Sequence, residues 1–220
     1  MNRINSESTG PASQHACGAG FLLEIRNPGV CLSVANAVPS MAVMRNIYDQ
    51  ADVGVLLGHV VDGIAAEFSP NQNLNIVGLR TRGETLAARI AEQLSARGFT
   101  KLGRGVLDIT FYRDDLSEVG PRPLVQPTTL EISLDANPCV LVDDVVFTGR
   151  SARAALNLLN DFGRPSVVRL AVLVDRNGRE LPIQPDYAGL KLQDVSRDYR
   201  VNVKLKETDG TDEIVVERRH

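Results

Sequence analysis

Two adjacent acids, Asp143 and Asp144, follow an apolar run, and a Thr-Gly pair stands a few residues beyond them in the segment VLVDDVVFTGRSARAAL. An apolar strand would place both carboxylates at its carboxyl end, which is where open α/β sheets bind their ligands. Gly149 permits a tight turn, so backbone amides and the hydroxyls of Thr148 and Ser151 can surround a phosphate at the start of a helix. The segment therefore predicts an anion-binding turn beside two acids.

Two carboxylates next to a bound phosphate would repel it, unless they accept hydrogen bonds from sugar hydroxyls or face a divalent cation that the ligand shares. A phosphorylated sugar with magnesium meets both conditions. The simpler interpretation is an acid pair that only caps the following helix. The complete order, an apolar strand, two acids, a Thr-Gly turn and a serine, favours the sugar-phosphate site.

Apolar spacing predicts the elements that must position this segment. Helices are expected over residues 49–68, 84–97 and 150–162, and strands over residues 75–79, 105–111, 139–142 and 166–174. Alternation of strands and helices implies right-handed crossovers and a mostly parallel sheet. Two further apolar runs flank Thr208-Asp209-Gly210 and predict a C-terminal antiparallel hairpin, residues 201–205 and 213–217.

Composition restricts the class of protein. An apolar share of 43% and a charged share of 23% in 220 residues are those of a globular protein with a core. The net charge of −3 gives no overall attraction to nucleic acid. Cys17, Cys31 and Cys139 follow no disulfide or zinc spacing, and Cys139 is expected to be a buried apolar residue. The chain has no apolar run of membrane-spanning length and no signal-peptide order, so we expect a cytoplasmic protein without membrane contact.

The first 44 residues differ from the rest, because they contain Pro11, Pro28 and Pro39 and show no helical or strand period. They are interpreted as a flexible extension. Met41 and Met44 at the end of this stretch leave an overextended gene start as an equal alternative. The folded domain is expected to cover residues 45–220.

The run VLVDDVVFTGRS closely resembles the motif with which type I phosphoribosyltransferases bind 5-phosphoribosyl-1-pyrophosphate (PRPP). The runs VGLRTRGETLAARIAE, LDITFYRDDLS and GRPSVVRLAVLVDRNGRELPIQPDYAG resemble the PyrR family of pyrimidine operon attenuators and uracil phosphoribosyltransferases, in the same order and spacing. This resemblance covers about residues 50–218. It implies the type I phosphoribosyltransferase fold, an α/β fold with a mostly parallel twisted sheet flanked by helices, a small hood and a C-terminal antiparallel hairpin.

The resemblance also implies an activity and its cofactor. Uracil and PRPP would give UMP and diphosphate, with Mg²⁺ bound alongside PRPP. Asp143 and Asp144 would bind the ribose hydroxyls and contact the metal only indirectly, through PRPP and water. Arg113 and Asp114 would act with them as catalytic residues, in a flexible loop over residues 107–117 that closes on PRPP together with Tyr112 and Asp115.

The remaining site residues that the resemblance implies form three groups. Diphosphate would bind to a loop of Thr81, Arg82 and Gly83. The 5-phosphate would bind to Val145, Val146, Phe147, Thr148, Gly149, Arg150 and Ser151. The pyrimidine would lie under a hood within residues 175–189, with contacts from Arg176, Arg179, Glu180 and Tyr187. For the diphosphate loop the simpler alternative is a solvated turn, and for the hood residues it is a solvated charged loop.

One stretch departs from the family pattern. Where the family usually has GKxxPT, this chain has GLKLQD over residues 189–194. The departure lies next to the expected base pocket and therefore bears on uracil specificity and on turnover.

Some family members also bind a messenger RNA leader through a basic surface built partly from the first core helix. Here residues 53–68 contain no Lys or Arg and carry Asp62 and Glu67, which should weaken contacts with RNA phosphates. A second basic patch could come from Arg80, Arg82, Arg164, Arg169 and Arg179.

Three functions remain open: a uracil phosphoribosyltransferase, a UMP-sensing RNA-binding regulator with vestigial catalysis and, with less support, a purine phosphoribosyltransferase. Family members assemble as homodimers or larger oligomers.

Overall fold

The computed structural model describes residues 45–109, 129–130, 133–193 and 195–219. In chain order its elements are β1 (Arg45–Tyr48), α1 (Gln50–Glu67), β2 (Leu74–Leu79), α2 (Arg82–Ala96), β3 (Leu102–Leu107), β4 (Thr129–Leu130), β5 (Cys139–Val146), α3 (Arg150–Leu159), β6 (Val168–Arg176), β7 (Tyr187–Leu192), β8 (Tyr199–Lys204), α4 (Lys206–Asp209) and β9 (Glu213–Arg218).

The central sheet has six strands in the order β4-β3-β2-β5-β6-β7. Its strands are parallel except for the edge strand β4. The middle strand β5 is buried on both faces, as strands of parallel sheets are. Val140 and Val142 pack with α1 and α2, whereas Cys139 and Leu141 pack with α3. Two layers of helices therefore enclose the sheet, and the carboxyl ends of β2, β5 and β6 meet at one edge.

Helix α1 begins at a capping box. The Asp49 carboxylate accepts hydrogen bonds from the amides of Ala51 and Asp52 at 2.9 and 3.0 Å, and the Asp52 carboxylate accepts one from the amide of Asp49 at 3.1 Å. These bonds satisfy amides that have no partner within the helix. The apolar positions that predicted this helix are its buried face, including Val53 and Ile64, both fully buried.

The structure corrects several predicted boundaries. Strand β5 continues to Val146 instead of ending at residue 142, because β6 remains beside it and pairs Asp143 with Val172 and Val146 with Asp175. The acid pair therefore lies inside the strand. Strand β3 covers residues 102–107 rather than 105–111, of which residues 110–111 lie outside the described part of the chain. Helix α3 ends at residue 159, three residues before its predicted end.

The C-terminal hairpin is confirmed, with β8 and β9 antiparallel. Its connection is the short helix α4, which ends at Gly210 in the left-handed region at φ +79°. Strand β1 pairs with β9 and adds a third strand that the sequence did not predict. The expected flexible extension, residues 1–44, lies outside the described residues. Among the helices that the structure describes, none has the length and apolar character needed to cross a membrane.

Candidate functional site

A cavity of about 890 Å³ opens where β5 passes into α3. The lining comes from the turn between these elements, from the loop before β7, and from β8, β9 and the residues beside them. Its polar lining consists of Asp143, Thr148, Arg150, Ser151, Glu180, Arg197, Arg200, Glu217, Arg218 and Arg219. The cavity therefore combines the predicted acid and anion-binding segments with a group of arginines that the sequence analysis did not single out.

The turn at Gly149 has the conformation that an anion-binding loop requires. Gly149 stands at the N-terminus of α3 with φ +90°, where an L side chain is strained. The Thr148 hydroxyl accepts a hydrogen bond from the Arg150 amide at 3.3 Å. The Thr148 carbonyl accepts bonds from the amides of Glu180 and Leu181 at 3.0 and 3.1 Å, so the following loop holds the turn in place. Amides and the positive end of a ten-residue helix thus face the cavity.

The two acids are held by the backbone of their own strand. The Asp143 carboxylate accepts a hydrogen bond from the Asp144 amide at 3.0 Å, and the Asp144 carboxylate accepts one from the Val145 amide at 2.9 Å. Burial raises the pKa of Asp144, against the opposing influence of Asp143, the backbone amides and the Arg82 guanidinium. A ligand that donates hydroxyl hydrogen bonds or brings a cation would relieve this unfavourable burial of charge.

The loop between β2 and α2 lies against the acid pair. A Cβ atom on Gly83 would approach the Val142 carbonyl oxygen to 2.4 Å and the Asp143 Cα to 3.2 Å, so only glycine allows this contact between backbones. The Arg80–Thr81 peptide just before it is cis. The Arg82 guanidinium bonds to the Asp209 carboxylate, which raises the pKa of Arg82, and it lies near enough to Asp144 for the two charges to interact.

Comparison with known proteins places this arrangement in a family. The model of the phosphoribosyl transferase domain matches residues 45–205. The Bifunctional protein PyrR of Deinococcus radiodurans is 52% identical over 141 residues, which are 64% of this chain and 76% of that protein. The Bifunctional protein PyrR of Mycolicibacterium paratuberculosis is 40% identical over 191 residues, which are 85% of this chain and 100% of that protein. The chain belongs to the PyrR family.

Solved structures agree on the fold. The HGPRT-ase of Leishmania tarentolae, solved in complex with GMP, superposes with a TM-score of 0.59 at 16% identity and covers 80% of this chain and 97% of its own. A hypoxanthine phosphoribosyltransferase of Staphylococcus aureus gives 0.55 at 17% identity, with coverage of 80% and 92%. At these identities the likeness concerns the fold alone. The predicted PyrR family, type I fold and function as a PyrR-type phosphoribosyltransferase, a pentosyltransferase, are confirmed.

The loop between β6 and β7, residues 177–186, lies within the predicted hood, residues 175–189, and is fastened by Arg179. Its guanidinium donates to the carbonyls of Ile183 and Phe147 at 2.8 and 2.7 Å and to the Asp175 carboxylate at 2.5 Å. Arg176 is buried with its guanidinium 4.0 Å from the Phe147 ring centre, and it donates to the Ser196 carbonyl at 2.8 Å. Burial is the main cause that lowers the pKa of Arg176, and the positive charges of Arg219 and Arg197 lower it further. Both arginines therefore build the wall behind the cavity.

Tyr187 lies elsewhere. It is the first residue of β7 and faces α1, where its hydroxyl donates to the Glu67 carboxylate at 2.5 Å. Burial raises the pKa of Tyr187, and the bond to Glu67 adds to the shift. The structure brings the other predicted hood residue, Glu180, to the cavity, where its carboxylate accepts from Arg150 Nε at 2.9 Å. A direct contact between Tyr187 and the base stays a prediction.

Of the predicted flexible loop, Arg113 and Asp114 lie outside the described residues.

The acidic character assigned to α1 is largely neutralised. Arg169 pairs with Glu67 at 2.7 Å, and Arg97 pairs with Asp62 at 2.6 Å. Of the five arginines that could form a second basic patch, Arg82, Arg169 and Arg179 pair with carboxylates. The patch itself stays a prediction. A group of exposed arginines lies on and beside the hairpin, namely Arg197, Arg200, Arg218 and Arg219, and Arg197 also pairs with Glu180 at 3.6 Å. These arginines show no periodic pattern in the sequence, and only strand pairing brings them together.

Replacing Glu67 by Gln is expected to lower the melting temperature at neutral pH, and the loss should shrink in acid. Hydrogen bonds from Arg169 and then Tyr187 hold the pKa of Glu67 below its usual value of 4.5. A carboxyl with a lowered folded pKa stabilises the fold above its unfolded pKa, and that contribution is lost as pH falls through the folded pKa. Melting curves from about pH 7 to about pH 3 measure it. The exposed Glu92→Gln serves as control, and a pH-independent difference for Glu67→Gln would contradict the expectation.

Proposed function

We propose that this protein transfers the 5-phosphoribosyl group of PRPP to uracil, giving UMP and diphosphate. The observation that carries the proposal is the continuous passage from Asp143 in β5 through the Gly149 turn into α3 along one cavity, with Asp144 beside Asp143 in the same strand. An anion-binding turn and a pair of partly buried carboxylates, a few residues apart, match a ligand that presents a phosphate and neighbouring hydroxyls.

Each part of PRPP has its own place in this proposal. The 5-phosphate binds at the turn of Thr148, Gly149 and Ser151, and the ribose hydroxyls donate to Asp143 and Asp144. The diphosphate binds at Thr81, Arg82 and Gly83, where a guanidinium offers charge-assisted hydrogen bonds. The pyrimidine lies under the predicted hood, residues 175–189. Arg113 and Asp114 of the loop over residues 107–117 complete the site when it closes.

The acid pair also fits a cation that PRPP carries. Among the described residues no three His, Cys, Asp or Glu side chains gather into a metal site. In this proposal Asp143 and Asp144 would hold Mg²⁺ indirectly, through oxygens of PRPP and water. When bound, Mg²⁺ would neutralise charge on the departing diphosphate.

The reaction needs no nucleophile from the protein. A uracil nitrogen forms the new bond to the anomeric carbon while the bond from that carbon to the diphosphate oxygen breaks, and the proton of that nitrogen passes to the departing diphosphate. The chain would contribute by positioning both substrates and by stabilising charge on the leaving group with Arg82 and with the amides at the start of α2. Closure of the site would exclude water, which would otherwise react at the same carbon.

The departure from the family pattern, GLKLQD, falls largely inside β7. Leu190 and Leu192 are buried, at 1% and 6% exposure, and they pair with Val174 and Arg176 of β6. Leu190 stands where the family pattern has Lys, and Leu192 stands at a position that the pattern leaves unspecified. Both side chains are part of the core beside α1, so this departure adds packing there. We propose that uracil remains the preferred base.

Release of diphosphate from PRPP and Mg²⁺ in the presence of single free bases tests the function. We expect turnover with uracil and at least about hundredfold lower kcat/KM with hypoxanthine or guanine. A site whose polar groups hydrogen-bond to one base discriminates against a base that would leave those buried groups without partners. Turnover with a purine alone would favour the purine enzyme. Silence with every base would exclude the enzymatic proposal.

A regulator that binds messenger RNA is the second candidate. The relatives carry the name Bifunctional protein PyrR, and the hairpin presents Arg197, Arg200, Arg218 and Arg219 together. Clustered arginines attract phosphates in a salt-dependent way. Filter binding to the RNA leader of its own operon, with and without UMP, tests this candidate; binding that UMP does not change would exclude it.

Assembly as a homodimer or larger oligomer, which the family implies, is testable by sedimentation.

A further inference from the structure

The C-terminal hairpin reaches the diphosphate side of the site through its connecting helix α4. The Asp209 carboxylate accepts hydrogen bonds from Arg82 Nε and Nη2 at 3.1 and 2.9 Å. A second contact lies further along the two helices, where Arg89 bonds to Glu207 and Asp212. The first pair therefore links a residue proposed to bind diphosphate with an acid 127 positions away in the sequence.

Asp209 is itself fixed by its turn. Its carboxylate also accepts hydrogen bonds from the Leu205 amide at 3.0 Å and from the Thr208 hydroxyl at 2.7 Å. The hydrogen bond from Arg82 is the main cause that keeps the pKa of Asp209 well below its usual range, and the bond from the Leu205 amide adds to it. Asp209 is therefore ionised at neutral pH. An arginine side chain can adopt many rotamers. Because the Asp209 carboxylate is held in place by its own turn, its bond to Arg82 restricts the rotamers of Arg82.

The geometry of the pair leaves room for a second anion. A guanidinium has five N–H donors in one plane, and the carboxylate occupies the edge formed by Nε and Nη2. Within the described residues Nη1 makes no other hydrogen bond, so that group remains for a phosphate oxygen. The guanidinium is partly exposed, at 37% of its side-chain surface, and Asp144 of the sugar site lies near it.

We propose that Asp209 is a positioning residue, which orients the Arg82 guanidinium so that its Nη1 edge meets the diphosphate group of PRPP. The inference rests on the proposed function. It gives the hairpin a part in substrate binding, although none of the hairpin lies in the central sheet.

Two effects of Asp209 oppose each other, and their balance sets the expected sign. Its negative charge repels diphosphate, but the pair is partly exposed and water screens that repulsion. Orientation acts directly on the charge-assisted hydrogen bond from Nη1 to a phosphate oxygen, which depends steeply on geometry. We therefore expect the loss of Asp209 to weaken binding of PRPP.

The variant Asp209→Asn tests this with little disturbance, because the amide oxygen can still accept from the Leu205 amide. We expect a rise of about tenfold in KM for PRPP and in the dissociation constant of diphosphate measured by calorimetry, which is the size of effect that removal of one charge-assisted hydrogen bond produces. KM for uracil should not change. The matched control is Glu207→Gln, which removes the same charge from the same turn but touches Arg89 instead of Arg82.

A double-mutant cycle separates positioning from general stability. If Asp209 acts through Arg82, then Asp209→Asn should add nothing to the KM for PRPP in an Arg82→Ala background. Additive effects, equal effects of Glu207→Gln and Asp209→Asn, or tighter binding by Asp209→Asn would each overturn the inference. Absence of PRPP turnover in both the unmodified protein and Glu207→Gln would instead overturn the proposed function, and the inference with it.

Discussion

The variant Asp143→Asn/Asp144→Asn is expected to lose about three orders of magnitude in kcat/KM for PRPP, because it removes two hydrogen bonds between charged carboxylates and the ribose. Both carboxylates are fixed by backbone amides, at 3.0 and 2.9 Å, so their oxygens are oriented before the ligand arrives. Asparagine keeps the bond from the amide, because its oxygen accepts it equally. The loss should therefore come from the ligand contacts alone.

The same variant should melt at a higher temperature than the unmodified protein. Burial raises the pKa of Asp144, so its ionised form costs stability at neutral pH, and that cost grows as pH rises from the unfolded pKa toward the folded one. Replacing the acid by a neutral amide removes this cost. A gain of stability with a loss of activity is typical of a functional residue.

Calorimetry with PRPP and Mg²⁺, steady-state kinetics and a melting curve measure the three quantities together. The control is Asp161→Asn, since Asp161 is exposed near the end of α3. Unchanged affinity for PRPP would show that the acid pair is not the ribose site. A large fall in melting temperature would show that the pair is structural.

The variant Gly83→Ala is expected to lower the free energy of unfolding by about 3 kcal/mol, as overpacking against a rigid neighbour does. The added methyl group would stand 2.4 Å from the Val142 carbonyl oxygen, and no flexible side chain is there to move away. The start of α2 must therefore shift from β5. Because Arg82 is the adjacent residue and Asp143 Cα lies 3.2 Å from the new atom, kcat/KM for PRPP should fall about hundredfold as well.

The same substitution at Gly54 provides the control. Gly54 lies within α1, and a Cβ there would meet nothing within 4 Å. Alanine is the better helix former, so Gly54→Ala should stabilise the protein by up to about 1 kcal/mol. Urea denaturation measures both variants. Equal and small effects at the two positions would contradict the backbone contact that we describe for Gly83.

The sequence predicts well the part of the site that lies in one continuous segment. Apolar residues, two acids, Thr148 and Gly149 each have a local meaning, and strand, turn and helix follow in the predicted order. The predicted end of β5 was wrong because two acids usually end a strand. Here Asp143 continues to pair with β6, and its polar group stands at the cavity rather than in the core.

Contacts between distant segments were not predictable in the same way. No local pattern relates Arg82 to Asp209, since the pair depends on how the hairpin packs against α2. Glu67 illustrates the same limit. In the sequence it makes α1 acidic, whereas in the fold Arg169 of β6 neutralises it. Charge counted along one helix says little about charge on the assembled surface.

The turn at Gly149 and the hood share one hydrogen-bonded scaffold. Two hood amides donate to the Thr148 carbonyl, and Arg179 joins the Phe147 carbonyl to Asp175. The places proposed for phosphate and for base are thus preorganised at a fixed spacing before any nucleotide enters. The entropic cost of ordering these two places is then met when the chain folds, and a ligand whose two ends do not match that spacing gains only one of its anchors.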